Sequence, residues 1–312
     1  MLTRKHIAYS FLSATVVIIA LLLVLPSFIS SDALKVKLNA AIQQQTGGQV
    51  DYQHAELSLL PRLAITLNQV KVDFSKQAQG SIASVQACPE FWPLLMGQVR
   101  LGRIVLEPPA LTLNLPVPEA KVKSQAPPLS LIELQSFLEQ GLEPLVSAAP
   151  GLTLLINNGS LAFNKGIKPF SSIEGLTLKL SLGIANPEAI QLALSSSIST
   201  LTLHQNGRAI NFEGLVLNGK GRSTQGRLSF SLDKLALSKP ALQINGELAV
   251  SSTSPAFSLE LQGADIDVDS AREAALALAG NTTPVQEIFD YLRGGKVSQI
   301  SFHSQGESAS AL

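Results

Sequence analysis

A metal site or a nucleophile–base pair in this chain has to be built from four histidines, one cysteine and 23 acidic residues. His6, His54, His204 and His303 are scattered, with no two at the i,i+4 spacing that puts a pair of imidazoles on one helix face. No HExxH, CxxC, GxSxG or phosphate-loop pattern occurs. Cys88 is alone and cannot close a disulfide within the chain, so it reads as a small buried hydrophobe. Asp265, Asp267 and Asp269 alternate along "ADIDVD" with Ile266 and Val268 between them, a spacing that could suggest a cation site. Three carboxylates fall short of the oxygen shell that calcium needs, and the plainer expectation is a solvated strand edge or a helix entry. Asn158 and Asn281 stand in glycosylation sequons, which matter only in a eukaryotic secretory pathway. No catalytic residue, metal ligand or cofactor is therefore expected, and the chain reads as non-enzymatic. A hydrolase would require His54 or His204 beside two carboxylates in a pocket.

The 312-residue chain must then be explained by binding or structure. Basic and acidic residues balance at 23 each, only 15% of residues are charged, and no basic tract stands out, which argues against a nucleic-acid partner. Aromatics are 5%, so the apolar content is aliphatic and mainly leucine. From Ile7 to Phe28 no residue is charged. Such a stretch, at ~1.5 Å per residue, covers the roughly 30 Å hydrocarbon core of a bilayer. It is longer than a signal-peptide apolar region, so an uncleaved anchor is expected, with residues 1–30 as anchor plus short cytoplasmic tail. Arg4 and Lys5 before it are matched by Lys35 and Lys37 after it, and the expected orientation is tail in, body out.

Past the anchor, "SDALKVKLNAAIQQQTGG" predicts a helix capped by Ser31 or Asp32, with Leu34, Leu38, Ala41 and Ile42 on one stripe and Gly47-Gly48 as the stop. From Gln49 the period becomes two. Leu57 and Leu59, then Leu63, Ile65 and Leu67, then Val70, Val72 and Phe74 each share a face, with a phase slip at Asn68-Gln69 that predicts a bulge or bend. Leu60-Pro61 predicts a corner between two strands. The alternation continues at Leu111, Leu113 and Leu115, at Leu176, Leu178, Leu180, Leu182 and Ile184, and at Ile190, Leu192 and Leu194. It runs on through Leu228, Phe230 and Leu232, Leu242, Ile244, Leu248 and Val250, and Phe257, Leu259 and Leu261. This predicts a long antiparallel sheet, apolar on one face and polar on the other. Asn-Gly turns are expected at Asn157–Ser160, Gln205–Arg208 and Leu217–Gly221. Short helices are expected at 88–97, over 131–142, from Asp269 or Ser270 to Gly280, and after Pro284. "PVPEAKVKSQAPP", 116–130 with its flanks, reads as a linker between an N-terminal module, 31–115, and a larger helix-plus-sheet part, 131–312.

These helices are too few to cover the sheet. Its apolar face must meet a second sheet, close on itself as a barrel, or hold an apolar ligand, and periodicity does not choose among the three.

The opening of the chain resembles AsmA-like proteins of the Gram-negative envelope. The matched features are a helix ending at Thr46-Gly47, a strand with Leu57, Leu59 and Pro61, and a turn with Pro93, Leu94, Leu95 and Gly97. The turn leads into a strand carrying Val99, Leu101, Ile104, Leu106 and Pro109. The correspondence covers residues 1–115, and Gly48 stands where the family often has a basic residue. The resemblance implies a single-pass inner-membrane protein held by residues 7–28, with its bulk in the periplasm. It further implies a curved β-groove, apolar on the concave face, engaged in phospholipid transport or outer-membrane assembly. The expected partners are membrane phospholipids and envelope proteins. Expected lipid contacts are Leu57, Leu59, Leu63, Ile65, Leu67, Leu111, Leu113, Leu178, Leu180, Leu182, Leu192 and Leu194. The alternative is a scaffold for outer-membrane proteins that carries no ligand.

Overall fold

A computed structural model describes residues 49–58, 62–74, 78–98, 100–115, 149–166, 168–186, 189–205, 208–224, 227–251, 257–279 and 283–306. The expected anchor at 7–28, the helix ending at Thr46-Gly47, Leu59, Pro61, Val99, the 116–130 linker and the helix at 131–142 lie outside the described residues. Among those described, no helix is long and apolar enough to cross a membrane.

The described chain is one curved sheet of 13 strands. β1 (Gln49–Asp51) and β2 (His54–Ser58) both pair with β3 (Ala64–Phe74), followed by β4 (Ala78–Pro89) and β5 (Leu101–Leu115). Then come β6 (Thr153–Lys165), β7 (Lys168–Asn186), β8 (Ala189–Gln205), β9 (Arg208–Thr224) and β10 (Arg227–Leu237). β11 (Leu242–Ser251), β12 (Phe257–Asp267) and β13 (Lys296–Gly306) complete the order. The strands succeed one another as they do in sequence, so nearly all connections are hairpins. Ser58 pairs with Ala64, so the chain reverses between them, and the predicted corner at Leu60-Pro61 lies outside the described residues.

One junction corrects the antiparallel expectation. β5 and β6 are parallel, Ile104 beside Leu154 and Leu111 beside Leu161, so the sheet is mixed. A parallel pair needs a crossover long enough to bring the chain back to the end where the first strand began. Residues 116–152 provide it, and the strands on either side of that segment belong to one sheet.

The predicted phase slip is also present, and it is not confined to β3. Gln69 sits in the left-handed region at φ 52°, and Leu67 and Val70 fall on one face although three residues apart. The neighbours slip at the same level, Val85 to Ile82 in β4 and Leu106 to Pro109 in β5. Asn158 in β6 (φ 51°), Gly175 in β7 (φ 65°) and Gly214 in β9 (φ 62°) mark it further along. An extra residue in a strand bends it and tightens its twist, so a line of such bulges creases the sheet from strand to strand.

This disposes of two predicted turns. Asn157–Ser160 lies inside β6 and Leu217–Gly221 inside β9. The left-handed backbone that Asn-Gly favours serves a bulge at Asn158, and Gly219 fits under an aromatic ring. Gln205–Arg208 does join two strands, with Gln205 opposite Arg208.

Among the described residues three short helices accompany the sheet: α1 (Phe91–Leu95), α2 (Val268–Ala279) and α3 (Thr283–Tyr291), the last with Pro284 at its second position. The cap of α2 differs from the expectation of Asp269 or Ser270. Asp267 Oδ1 accepts from the backbone N–H groups of Asp269 (3.2 Å) and Ser270 (3.3 Å), which places the cap at the strand's last residue. Helix entry is thus the role of this end of "ADIDVD". Asp265 is a further left-handed bulge at φ 52°, and Asp269 Oδ2 accepts from the Gly295 N–H at 3.4 Å.

A compact core exists at the N-terminal edge. Val50, Tyr52, Val70 and Ile82 are buried there, with Ala55, Leu67, Val72, Phe74, Val85, Leu106 and Leu111 packed around them. β1 and β2 form one strand broken at Tyr52-Gln53, beside the Gln69 bulge, and both halves keep the same register against β3.

Candidate functional site: the apolar face of the sheet

Pairing registers show how far the apolar face extends. Leu57 in β2 stands opposite Ile65, Ile65 opposite Ala87, Ala87 opposite Ile104, and Ile104 beside Leu154. The row continues through Leu180, Leu194, Gly219, Leu232, Gly246, Leu261 and Phe302 in β13. It takes one residue from each strand from β2 to β13, and all are apolar or glycine. At ~4.8 Å per strand it is roughly 50 Å long. A second row runs parallel: Leu67, Val85, Leu106, Ile156, Leu178, Ser196, Leu217, Leu235, Ile244, Gly263 and Ile300. A third segment pairs Leu182, Leu192, Gly221, Phe230, Leu248 and Leu259.

Glycines do not interrupt these rows, because a large neighbour leans over each. A β-carbon on Gly219 would meet the Phe230 ring at 3.0 Å, one on Gly246 the Leu261 Cδ2 at 2.9 Å, and one on Gly263 the Ile300 Cγ2 at 2.8 Å. Large side chains thus close the surface where the backbone lies bare.

Of the expected contacts, Leu57, Ile65, Leu180 and Leu194 are in the first row, and Leu67 and Leu178 in the second. Leu182 and Leu192 are in the third segment. Leu111 pairs with Gly80 and Leu161, and Leu113 with Ala78 and Phe163, on the same face toward the other strand ends. Leu63 is half-buried just before β3. The family-motif residues Pro93 and Leu94 are half-buried in α1, which also includes Leu95. Gly97 at φ 75° ends the turn, its N–H donating to the Leu94 carbonyl at 3.0 Å.

What covers the rows differs along the sheet. At the N-terminal edge Val70 is 2% exposed. Toward the far edge Ile300 is 50% and Phe302 48% exposed. Among the described residues the sheet has no second layer: apart from α2 with α3 and β12, extensive packing is between neighbouring strands of the sheet. The strand path is also open, with β1 and β2 on β3 at one edge and β13 at the other, so neither a sandwich nor a barrel is formed by these residues. A cavity of about 580 Å³ crosses β7 to β11 at the level of Leu182, Leu192, Gly221, Phe230 and Leu248, with Arg222 and Arg227 also in its wall. That volume is in the range of small-molecule pockets.

The polar face carries ordinary strand chemistry. Ser195 Oγ donates to Asn218 Oδ1 at 2.8 Å and Thr202 Oγ1 to Asn211 Oδ1 at 3.0 Å. Lys220 Nζ lies 3.0 Å from Asp233 Oδ2, and the Ser231 hydroxyl donates to Asp233 Oδ1 at 3.1 Å. Lys220 first and Ser231 second hold the Asp233 carboxyl below its ordinary value. His54, His204 and His303 are exposed, and among the described residues no three His, Cys, Asp or Glu side chains gather as a metal site.

A repeat escaped the sequence reading. Glu174-Gly175-Leu176 recurs as Glu213-Gly214-Leu215, and Ser199 recurs as Ser238. A β-carbon on either glycine would collide with the hydroxyl of its serine, at Gly175 with Ser199 and at Gly214 with Ser238. The signal was present as two "EGLxL" stretches, each opening a leucine run.

No protein-family model, no curated protein and no solved structure matches the chain.

Proposed function

We propose that the chain is a membrane-anchored envelope protein whose leucine-lined sheet shelters lipid acyl chains while headgroups stay in water. It would serve phospholipid transport or outer-membrane homeostasis from the periplasmic side of an inner membrane. The observation that carries this reading is the unbroken apolar row from Leu57 to Phe302, on a sheet with no second layer among the described residues. Acyl chains are the natural occupant: the rows are long and mainly aliphatic, and the charged residues of the cavity wall, Arg222 and Arg227 among them, stand beside the rows and not within them. Each buried methylene stabilises by about 0.8 kcal/mol, so ten on this surface contribute about 8 kcal/mol. A row continuous from strand to strand lets a chain move sideways without leaving apolar contact. In this reading the apolar face is the concave one, and the resemblance to AsmA-like proteins points the same way.

Photo-crosslinking tests it. A photoreactive residue at Leu180 or Leu194 should give phospholipid adducts in the membrane-bound protein, whereas at Lys179 or Ser195, one position along and on the opposite face, it should not. Protein adducts in place of lipid at Leu180 and Leu194 would favour a scaffold. Equal labelling at all four sites would show that the sheet does not sort lipid by face.

A further inference from the structure

Between β4 and β5 the chain lifts off the end of the sheet as the seven-residue run "FWPLLMG". α1 there is held tight: Met96 N–H donates to the Pro93 carbonyl at 3.0 Å, Gln98 N–H to the same carbonyl at 2.9 Å, and Gly97 N–H to that of Leu94 at 3.0 Å. The turn nevertheless hides few of its own side chains. Phe91 is 61% exposed, Trp92 71% and Met96 76%. The Phe91 and Trp92 rings meet edge to face with centroids 5.9 Å apart, so the pair presents one rigid aromatic wedge. Burying such side chains is worth roughly as much as burying a core residue, and a surface that leaves three of them adjacent in water marks an interaction site.

We propose that this turn docks on a lipid bilayer, with Phe91, Trp92 and Met96 in the headgroup–acyl boundary. Two features favour a bilayer. Trp and Phe are suited to that boundary, where the ring is apolar and the indole N–H stays wet. The run itself has no charged residue, while exposed cations stand around its base: Arg100, whose carbonyl accepts from the Glu90 N–H at 2.8 Å, and Arg62 in the neighbouring β2–β3 reversal at the same end of the sheet. They are placed to meet lipid phosphates. The inference deepens the lipid-groove reading by fixing which rim of the sheet faces the membrane, and it rests on that reading only for the consequence that lipid enters there.

Trp92 is the chain's single tryptophan, which makes the test direct. The full-length protein is reconstituted into vesicles of phosphatidylethanolamine and phosphatidylglycerol, with and without brominated acyl chains. Docking predicts that Trp92 emission is quenched by the brominated lipid and shielded from aqueous acrylamide, and that R62E/R100E weakens both effects. Free access of acrylamide without brominated-lipid quenching overturns the proposal. Lipid in the groove could also quench, so the measurement is repeated on Leu180→Asp, its fold checked by circular dichroism. Quenching that survives in this variant comes from the bilayer and supports docking. Quenching that vanishes there reports groove lipid and overturns docking. Survival together with missing lipid adducts at Leu180 and Leu194 leaves docking standing and removes the groove.

Discussion

At the scale of single residues, the same apolar alternation has two meanings, and burial separates them. Val70, 2% exposed among Val50, Tyr52 and Ile82, is ordinary core. Val70→Ala should cost about 2 kcal/mol, read as a lower denaturation midpoint, with lipid adducts at Leu194 unchanged. Leu180 is only half-buried, between Leu154 and Leu194 in the first row. Leu180→Asp should keep the far-ultraviolet spectrum of a folded sheet and lose bound lipid, because its carboxylate can reach water when the groove is empty and cannot when it is filled. Unfolding by this substitution would place Leu180 in a closed core. Asp233 supplies the one pH-dependent contribution with a clear cause. Its carboxyl is held below the ordinary 3.8 by Lys220 and then Ser231. The folded state therefore gains stability that is fully present above that value and fades as pH falls through the lowered one. Asp233→Asn should remove this acid-side slope in unfolding measurements between neutral and low pH. The loss at neutral pH should be small, since the carboxylate and its lysine are both well exposed.

At the scale of the elements, the crease shapes the sheet, and its glycines are constrained in two separable ways. Gly175 and Gly214 adopt left-handed backbone, and each also lacks room for a β-carbon against a serine, Ser199 of β8 and Ser238 just past β10. Gly175→Ala and Gly214→Ala should each destabilise by about 1–3 kcal/mol, from backbone strain plus overpacking. Adding Ser199→Gly to the first, or Ser238→Gly to the second, should recover the overpacking part and leave the strain. Gly97, also left-handed but with open space where a β-carbon would go, isolates the strain, and Gly97→Ala should resemble the rescued doubles in thermal melts. The alternation of leucines made the strands, their shared face and the bend at Asn68-Gln69 legible in the sequence, because a one-sided sheet leaves a period of two. The parallel β5–β6 pair was not legible, since direction is set by how residues 116–152 route the chain and not by the pattern within either strand. Asn158-Gly159 and Asn218-Gly219 misled for a related reason. The backbone preference of Asn-Gly is local: at Asn158 it serves a bulge, and at Asn218-Gly219, where neither residue is left-handed, pairing of β9 with both neighbours overrides it.

For the whole molecule, what matters is continuity. The candidate lipid contacts were read as separate clusters, and only the registers join them into a row running from Leu57 to Phe302. The row's glycines were invisible to a count of leucines, yet without Gly219 under Phe230 and Gly246 under Leu261 it would break twice. If the row acts as a path, its parts depend on one another in order. A charge at Leu154, in the strand just past the parallel junction, sits between the N-terminal strands and the rest. With lipid entering at the rim that carries α1, Leu154→Asp should leave phospholipid adducts at a photoreactive residue replacing Ile65 and strongly reduce them at one replacing Leu261. A charge dragged across an apolar surface opposes passage by several kcal/mol, enough to slow transit a hundredfold or more. Equal adducts at both positions would mean that each stretch of the face takes up lipid independently. The sheet would then be a store with many openings, and the alignment of its rows would reflect packing of the strands alone.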